Sequence, residues 1–254
     1  DALILGEVWE DAVIKESYGT RRSYCLGSAL DSVMNYPFAN AIVDFAAHQN
    51  AYKLNETVLQ IIENYPKQSV DLLMNHIGTH DTARILTRLI KDGKPCYDRE
   101  WQSHQRLTDY EKKEAKLRLK AAAAVQYTLP GVPSLYYGDE AGLEGYCDPF
   151  CRGTYPWGKE DTELLEFYKA LGNLRKGCNA FCDGDYEPYI CDGAVISYMR
   201  NGKTERAFIA VNSGYEQYSL NIPKEFLSPK AALSSVAISD TVTLCHGDYI
   251  ILCL

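Results

Sequence analysis

Apolar and polar positions along the first 180 residues follow two alternating periods. Residues 2–8 (ALILGEV) form a nearly continuous apolar run that leads through Glu7 to Trp9, the pattern of a buried parallel strand. Residues 30–35 (LDSVMN) predict a second, short strand. Pro37 then stands where the first turn of a helix tolerates proline, and residues 38–48 (FANAIVDFAAH) have helical spacing. Asn55 is expected to cap a helix over 56–65, with Val58, Ile61, Ile62 and Tyr65 on one face and Pro66 as its stop. Residues 70–74 (VDLLM) predict a third strand, followed by the polar stretch NHIGTHDTAR and a short helix over 82–90. Residues 91–107 are polar and long for a connector, a feature more often functional than accidental. Thr108 and Glu111 have the spacing of a capping box, opening a helix that runs through AAAAV to Leu129. Residues 131–137 (GVPSLYY) predict a fourth strand. A loop rich in glycine, proline and cysteine follows to Trp157, and then a helix over 161–176.

This order predicts an α/β fold with a parallel sheet or barrel, and four strands make half of an eight-stranded barrel. Beyond residue 180 the texture changes to short alternating runs, with RNGK read as an Asn-Gly hairpin turn between two of them. The expected organisation is therefore an α/β unit over 1–180 and a small antiparallel β-sandwich domain over 181–254.

The balance of 46% hydrophobic and 24% charged residues in a chain of 254 supports a sizeable core. A formal net charge of -8 argues against nucleic acid or an anionic membrane surface as partner. The nine cysteines are an odd number. The pairs Cys147/Cys151 and Cys178/Cys182 lack histidines at zinc-finger distance, so reduced thiols of a cytoplasmic protein are expected rather than a metal site. Tyrosine, at 19 against 7 phenylalanines, suits both carbohydrate contact and half-buried strands.

In a β/α barrel the reacting groups project from the C-terminal ends of the strands. That rule selects Glu7, then Thr79, His80 and Asp81, then Asp139 and Glu140. Glycoside hydrolysis needs carboxylates on either side of the scissile bond, and Glu7 and Asp81 are candidates to face one pocket. Val8 and Trp9 beside Glu7 suggest an apolar wall that suits a proton donor. His80 could bond sugar hydroxyls. Taken one at a time, each has a plainer reading that spacing alone favours: a solvated strand end for Glu7, a local hydrogen bond for His80 and Asp81. No Gly-x-Ser-x-Gly, phosphate loop, His-Glu-x-x-His or dinucleotide fingerprint occurs.

Several stretches taken together resemble the α-amylase family of retaining α-glucan hydrolases. ILGEVWE is similar to the family's fifth-strand motif, and MNHIGTHDTARIL to its seventh. LDSVMNYPF resembles the sixth-strand segment, and LPGVPSLYYGDEAGLEGYCDPFCRGTYPW the eighth-strand segment and the loop after it. The HDTxR form with Arg84 is most like the cyclomaltodextrinase, neopullulanase and maltogenic amylase branch. The resemblance implies that Glu7 is the general acid/base and that Asp81 stabilises the transition state. It implies that His80 binds neighbouring hydroxyls and that Asp148 and Arg152 hold the sugar on the non-reducing side. Trp9 or Trp101 would stack on a sugar or pack in the core, and Arg84 is expected in a salt bridge. The family's nucleophilic aspartate lies in a Gly-x-Arg-x-Asp motif after strand four, which is not found here, and the one Asp-x-x-x-Asn-His spacing, Asp71 to His76, falls in the stretch that resembles the seventh strand rather than in an earlier segment.

The resemblance thus implies a fragment: the C-terminal half of a (β/α)8 TIM barrel, strands 5–8, followed by the family's C-terminal β domain. The parent would cleave α-1,4-glucosidic bonds of starch-derived oligosaccharides or cyclodextrins, while the isolated chain would be inactive. The alternative is a non-catalytic carbohydrate-binding or interaction module. No cofactor is expected, with calcium a feature of the parent if present at all. The expected partners are α-glucan oligosaccharides, and either the missing half-barrel or a second copy to cover the open sheet edges.

Overall fold

The computed structural model describes residues 2–27, 29–91 and 98–254. β1 (Leu5–Gly6) is followed by a small antiparallel hairpin, β2 (Glu16–Ser17) and β3 (Thr20–Arg21), and then by β4 (Ser32–Val33). β1 and β4 pair in parallel, Leu5 opposite Ser32. α1 (Tyr36–His48), α2 (Ala51–Asn64) and α3 (Lys67–Asp71) lead to β5 (Met74–Asn75). A parallel bridge between Met34 and Met74 joins β5 to the end of β4. α4 (Ile85–Lys91), α5 (Arg99–His104) and α6 (Asp109–Thr128) lead to β6 (Val132–Pro133), which pairs in parallel with β5. The spatial order β1-β4-β5-β6 is a short parallel arc with helices packed on it.

The strands are much shorter than the apolar runs that announced them. Leu3, Ile4 and Leu5 are 58%, 54% and 39% exposed, because β1 has a paired neighbour on one side only among the described residues. The apolar run at the start of the chain is therefore a sheet edge here. Val132 at the other end of the arc is likewise exposed.

Three helix assignments differ from expectation for local reasons. α2 begins at Ala51, and its cap is Asn50, whose side chain accepts from Lys53 N. Gln49 ends α1 in the left-handed region (φ 65), which turns the chain sharply and puts Asn50 at the cap. Asn55 lies inside the helix, and its Oδ1 accepts from Tyr186 Oη at 2.8 Å. Residues 70 and 71, expected to open the third strand, instead end α3, with Lys67 and Asp71 paired one turn apart. The polar connector contains α5, capped by Asp98 Oδ1 bonded to Glu100 N and Trp101 N. The part of that connector spanning 92–97, with Cys96, lies outside the described residues.

α6 follows the sequence closely. Thr108 Oγ1 accepts from Glu111 N, and Thr108 N donates to Glu111 Oε2, completing the capping box. Ala121, Ala122, Ala123, Ala124 and Val125 are all fully buried. The C-terminal half of α6 is buried on nearly every side, and the small residues of the alanine run let its neighbours approach.

α7 (Thr162–Lys176), capped by Asp161, and α8 (Ala180–Asp183) precede the antiparallel region. β7 (Asp185–Asp192), β8 (Val195–Asn201), β9 (Arg206–Asn212), β10 (Tyr218–Asn221), β11 (Ala231–Ser234), β12 (Thr241–Leu244) and β13 (Tyr249–Cys253) form two sheets. The larger has the order β11-β13-β9-β8-β7, and β10 pairs with β12. Asn201 and Gly202 are not the centre of a two-residue turn: Asn201 still pairs with Arg206, and a four-residue loop closes with Gly202 N bonded to Glu205 O.

The larger sheet is covered on both faces. Ile209, Val211, Ile251 and Cys253 join the core of the helices, against α6 and its neighbours. Phe208, Ala210, Ile250 and Leu252 face the other way, onto Leu220, Val242, Leu244 and Phe226. β8 and β9 are accordingly buried at nearly every position rather than at every second one.

Candidate active site

The C-terminal ends of β1, β4 and β5 are stitched together by polar side chains. Asn35, two residues after β4, caps α1 by accepting from Phe38 N. Its Nδ2 donates to Asn75 Oδ1 at 2.9 Å, and Asn75 Nδ2 donates to Pro130 O at 2.7 Å. The next residue, Tyr36, is 2% exposed. Its hydroxyl donates to Glu7 Oε1 at 2.9 Å. Trp9 stacks on the Tyr36 ring with centroids 4.0 Å apart and planes 16° from parallel. His76, just after β5, meets the same ring edge-on at 4.5 Å.

The Tyr36 phenol gathers the site around it. Burial raises its pKa most, followed by the hydrogen bond and charge of Glu7; Thr79, in hydrogen-bonding reach, pulls it back, and the charge of Asp81 adds to the rise. Glu7 and the Thr79–Asp81 loop therefore bear on one hydroxyl group. Beyond that loop, His80 Nε2 lies 3.2 Å from Asp81 Oδ2. Arg152 Nη2 is 3.7 Å from Asp81 Oδ1, and Arg152 Nε is 2.8 Å from Asp148 Oδ1. Cys151 Sγ donates to His80 O at 3.2 Å, tying the two loops through the backbone as well.

His80, Asp81, Asp148 and Arg152 thus form one ionic network, and Glu7 and Trp9 gather on Tyr36. The apolar wall expected beside Glu7 is not built by Val8, which is buried in the core, and Glu7 itself is exposed. Trp9 faces Tyr36 and remains 49% exposed, open to a ligand on its outer face. Trp101 packs edge-on against Tyr146 at 5.2 Å, in contact with the loop after β6. Arg84 forms the expected salt bridge, with Asp139 at 3.2 Å.

Tyr36 and His76 escaped the strand-end rule that selects Thr79, because a buried neutral ring carries no such signal. Burial holds His76 well below the usual imidazole range, at about 4, with the charge of Arg88 adding to the effect. Its ring is neutral near pH 7 and packs as an aromatic wall. Among the described residues no group of three His, Cys, Asp or Glu side chains is arranged to hold a metal ion, and the described cysteines are free. A cleft of about 560 Å³ opens beside the network, lined among others by Gln102, Arg106, Glu144, Phe150, Arg152 and Lys159.

Chemically, the arrangement offers an exposed carboxylate steadied by a phenol. Near it stand an exposed aromatic face and a second carboxylate held between an imidazole and a guanidinium. Such a set can exchange a proton at a bridging oxygen, stack a sugar ring and bind vicinal hydroxyls.

Comparison with known proteins places the chain among its relatives. The chain is 34% identical over 99% of its length to the amylopullulanase of Thermoanaerobacter thermohydrosulfuricus, of which it covers 17%. It is 31% identical over 87% of its length to a cyclomaltodextrinase of a Bacillus species, of which it covers 35%. Its fold is similar to that of the cyclic α-maltosyl-(1→6)-maltose hydrolase of Arthrobacter globiformis, with a TM-score of 0.76 and 25% identity, over 99% of this chain and 49% of that one. The chain therefore spans well under two thirds of the length of each of these relatives. Residues 1–162 match the family described as alpha amylase, catalytic domain, and the chain belongs to that family.

Proposed function

We propose that this chain is the acid/base-bearing half of a retaining glycoside hydrolase that cleaves α-1,4-glucosidic bonds in starch-derived oligosaccharides or cyclodextrins. The observation that carries the reading is the Tyr36 hydroxyl, bonded to Glu7 and within electrostatic reach of Asp81, which supports a single site at the ends of the parallel strands. Glu7 protonates the glycosidic oxygen as the bond breaks and then deprotonates the incoming water. Asp81 and His80 bind the hydroxyls of the sugar that flattens toward an oxocarbenium ion. Asp148 and Arg152 hold the sugar on the non-reducing side, and Trp9 offers its open face to a ring. The relatives' names, amylopullulanase and cyclomaltodextrinase, support α-glucans as the substrate class.

A retaining mechanism requires a nucleophilic carboxylate about 5 Å from the acid. Asp81 lies between His80 and Arg152, which supports an orienting rather than an attacking role, and the family's Gly-x-Arg-x-Asp motif is not in these 254 residues. The nucleophile would come from four further β/α units closing the barrel against β1 and β6. The chain assayed alone on maltotriose and on cyclodextrins is expected to show no turnover. Co-expression with an upstream segment that carries the nucleophile is expected to restore it. Robust turnover by the chain alone, or none with the added segment, refutes this reading. In solution the chain alone is expected to self-associate through its open edges, and a monodisperse monomer in sedimentation velocity contradicts that expectation.

A further inference from the structure

Behind His80 and Asp81 lies a buried charge pair that the proposed chemistry does not use. Asp139 and Arg84 are each 1% exposed, and Arg84 Nη1 donates to Asp139 Oδ1 at 3.2 Å. The same nitrogen donates to Tyr137 O, and the guanidinium lies over the rings of Tyr136 and Tyr137, 4.2 and 4.6 Å from their centroids. Arg84 N donates to Gly145 O at 2.9 Å. Side chain and backbone of this one residue thus fasten the chain just after the 78–82 loop to the 136–145 segment.

Asp139 also approaches the backbone of the same loop closely. A β-carbon at Gly78 would stand 2.3 Å from Asp139 Oδ2, so only glycine fits there. Along the loop, Asp81 N donates to Thr79 Oγ1, and Thr79 N donates to Thr82 Oγ1. A displacement at Gly78 is therefore passed on to His80 and Asp81. The 136–145 segment runs on into Asp148 and Arg152, so the pair stands where the two loops of the ionic network meet.

We infer that Arg84 and Asp139 are positioning residues that clamp the 78–82 loop onto the 136–145 segment and so set where His80 and Asp81 stand. They touch no substrate. A buried ion pair is weak evidence for stability, since well-packed apolar side chains commonly replace one without loss, whereas its directional bonds hold one geometry. Here the bonds run to two different loops. The groups facing Asp139 are Arg84, Glu140 and the buried phenol of Tyr168. Burial pushes the Asp139 carboxyl up to about 7, against the pull of Arg84 and with a further push from Glu140. The clamp therefore loosens as the carboxylate takes up a proton below neutrality.

Only the effect on turnover rests on the glucan-hydrolase reading. The test uses the full enzyme containing this chain, with the variants Gly78→Ala, which leaves both charges in place, and Asp139→Asn, which keeps the shape and removes the charge. Hydrogen exchange of the peptide covering 78–82 is followed together with kcat and KM on maltotriose. Gly78→Ala is expected to speed exchange in that peptide about tenfold or more, with the rest of the chain unchanged. It should lower kcat by about a hundredfold, the cost of a misplacement near 1 Å. In the wild type, exchange in this peptide, corrected for its intrinsic pH dependence, should rise as pH falls through 7, and Asp139→Asn should abolish that dependence. Unchanged loop exchange in Gly78→Ala, or an increase spread evenly over the chain, overturns the proposal. A wild type without turnover on α-glucans refutes the hydrolase reading instead, and the exchange measurements still decide on the clamp.

Discussion

At the scale of single residues, the site depends on neutral groups that hold charged ones. Tyr36 is the clearest case: buried, stacked under Trp9 and bonded to Glu7. General acid–base groups contribute about 10²- to 10⁴-fold to a rate. Glu7→Gln in the full enzyme should therefore lower kcat by at least about 10²-fold while leaving the melting temperature nearly unchanged, because an amide oxygen can still accept from Tyr36. His76 makes a separate prediction. Its folded pKa, held down to about 4, lies below the unfolded value near 6.5, so between those values the unfolded chain binds more protons. Stability from this group is complete above pH 6.5 and is lost as pH falls toward 4. The difference corresponds to an upper bound of about 3 kcal/mol. Urea unfolding of wild type and His76→Phe across pH 4–7 should show a steeper loss on acidification in the wild type.

At the scale of elements, helix starts are set by caps. Thr108 and Glu111 satisfy each other's backbone N–H groups, and Asn50 accepts from Lys53 N after the left-handed turn at Gln49. Replacing a capping side chain by alanine costs about 1 kcal/mol. Thr108→Ala and Asn50→Ala should each lose about that much in denaturant unfolding. The buried alanines of α6 are sensitive in the opposite sense, because an added side chain has no space. Ala122→Leu is expected to cost about 1–3 kcal/mol through overpacking, measured by the same unfolding curves.

At the scale of the whole molecule, the helices and the large antiparallel sheet share one core. Leu119 and Val125 of α6 and Leu171 of α7 belong to the same buried cluster as Ile209 and Ile251 of the sheet. Arg200, fully buried in β8, donates to Thr128 O at the end of α6 and to Gly184 O. Glu114 of α6 accepts from Tyr215 Oη and Arg118 Nε and lies 2.9 Å from His246 Nε2, which fastens the loops flanking β9 and β12 to the helix. A chain cut after residue 180 would expose the inner faces of α6 and α7. It should lack a cooperative thermal transition and bind a hydrophobic dye, whereas independent folding of 1–180 would show that the shared core is dispensable.

Local chemistry was legible in the sequence wherever one residue decides it. The capping box at Thr108, the helix periods, the alternation of β and α, the strand-end residues Glu7, His80 and Asp81, and the Asp148 and Arg152 spacing all depend on neighbours within a few positions. The resemblance carried by those motifs named the family. What the sequence could not decide depends on contacts between distant segments. Asn55 reads as a cap until Tyr186 claims it, and β8 reads as alternating until helices and a second sheet bury both its faces. Tyr36 joins Glu7 to the Asp81 loop, and Asp139 meets Gly78, across separations along the chain that no local pattern encodes. Periodicity reports which face of an element is apolar; only the packed structure determines what that face meets, and hence which polar groups are brought within bonding distance.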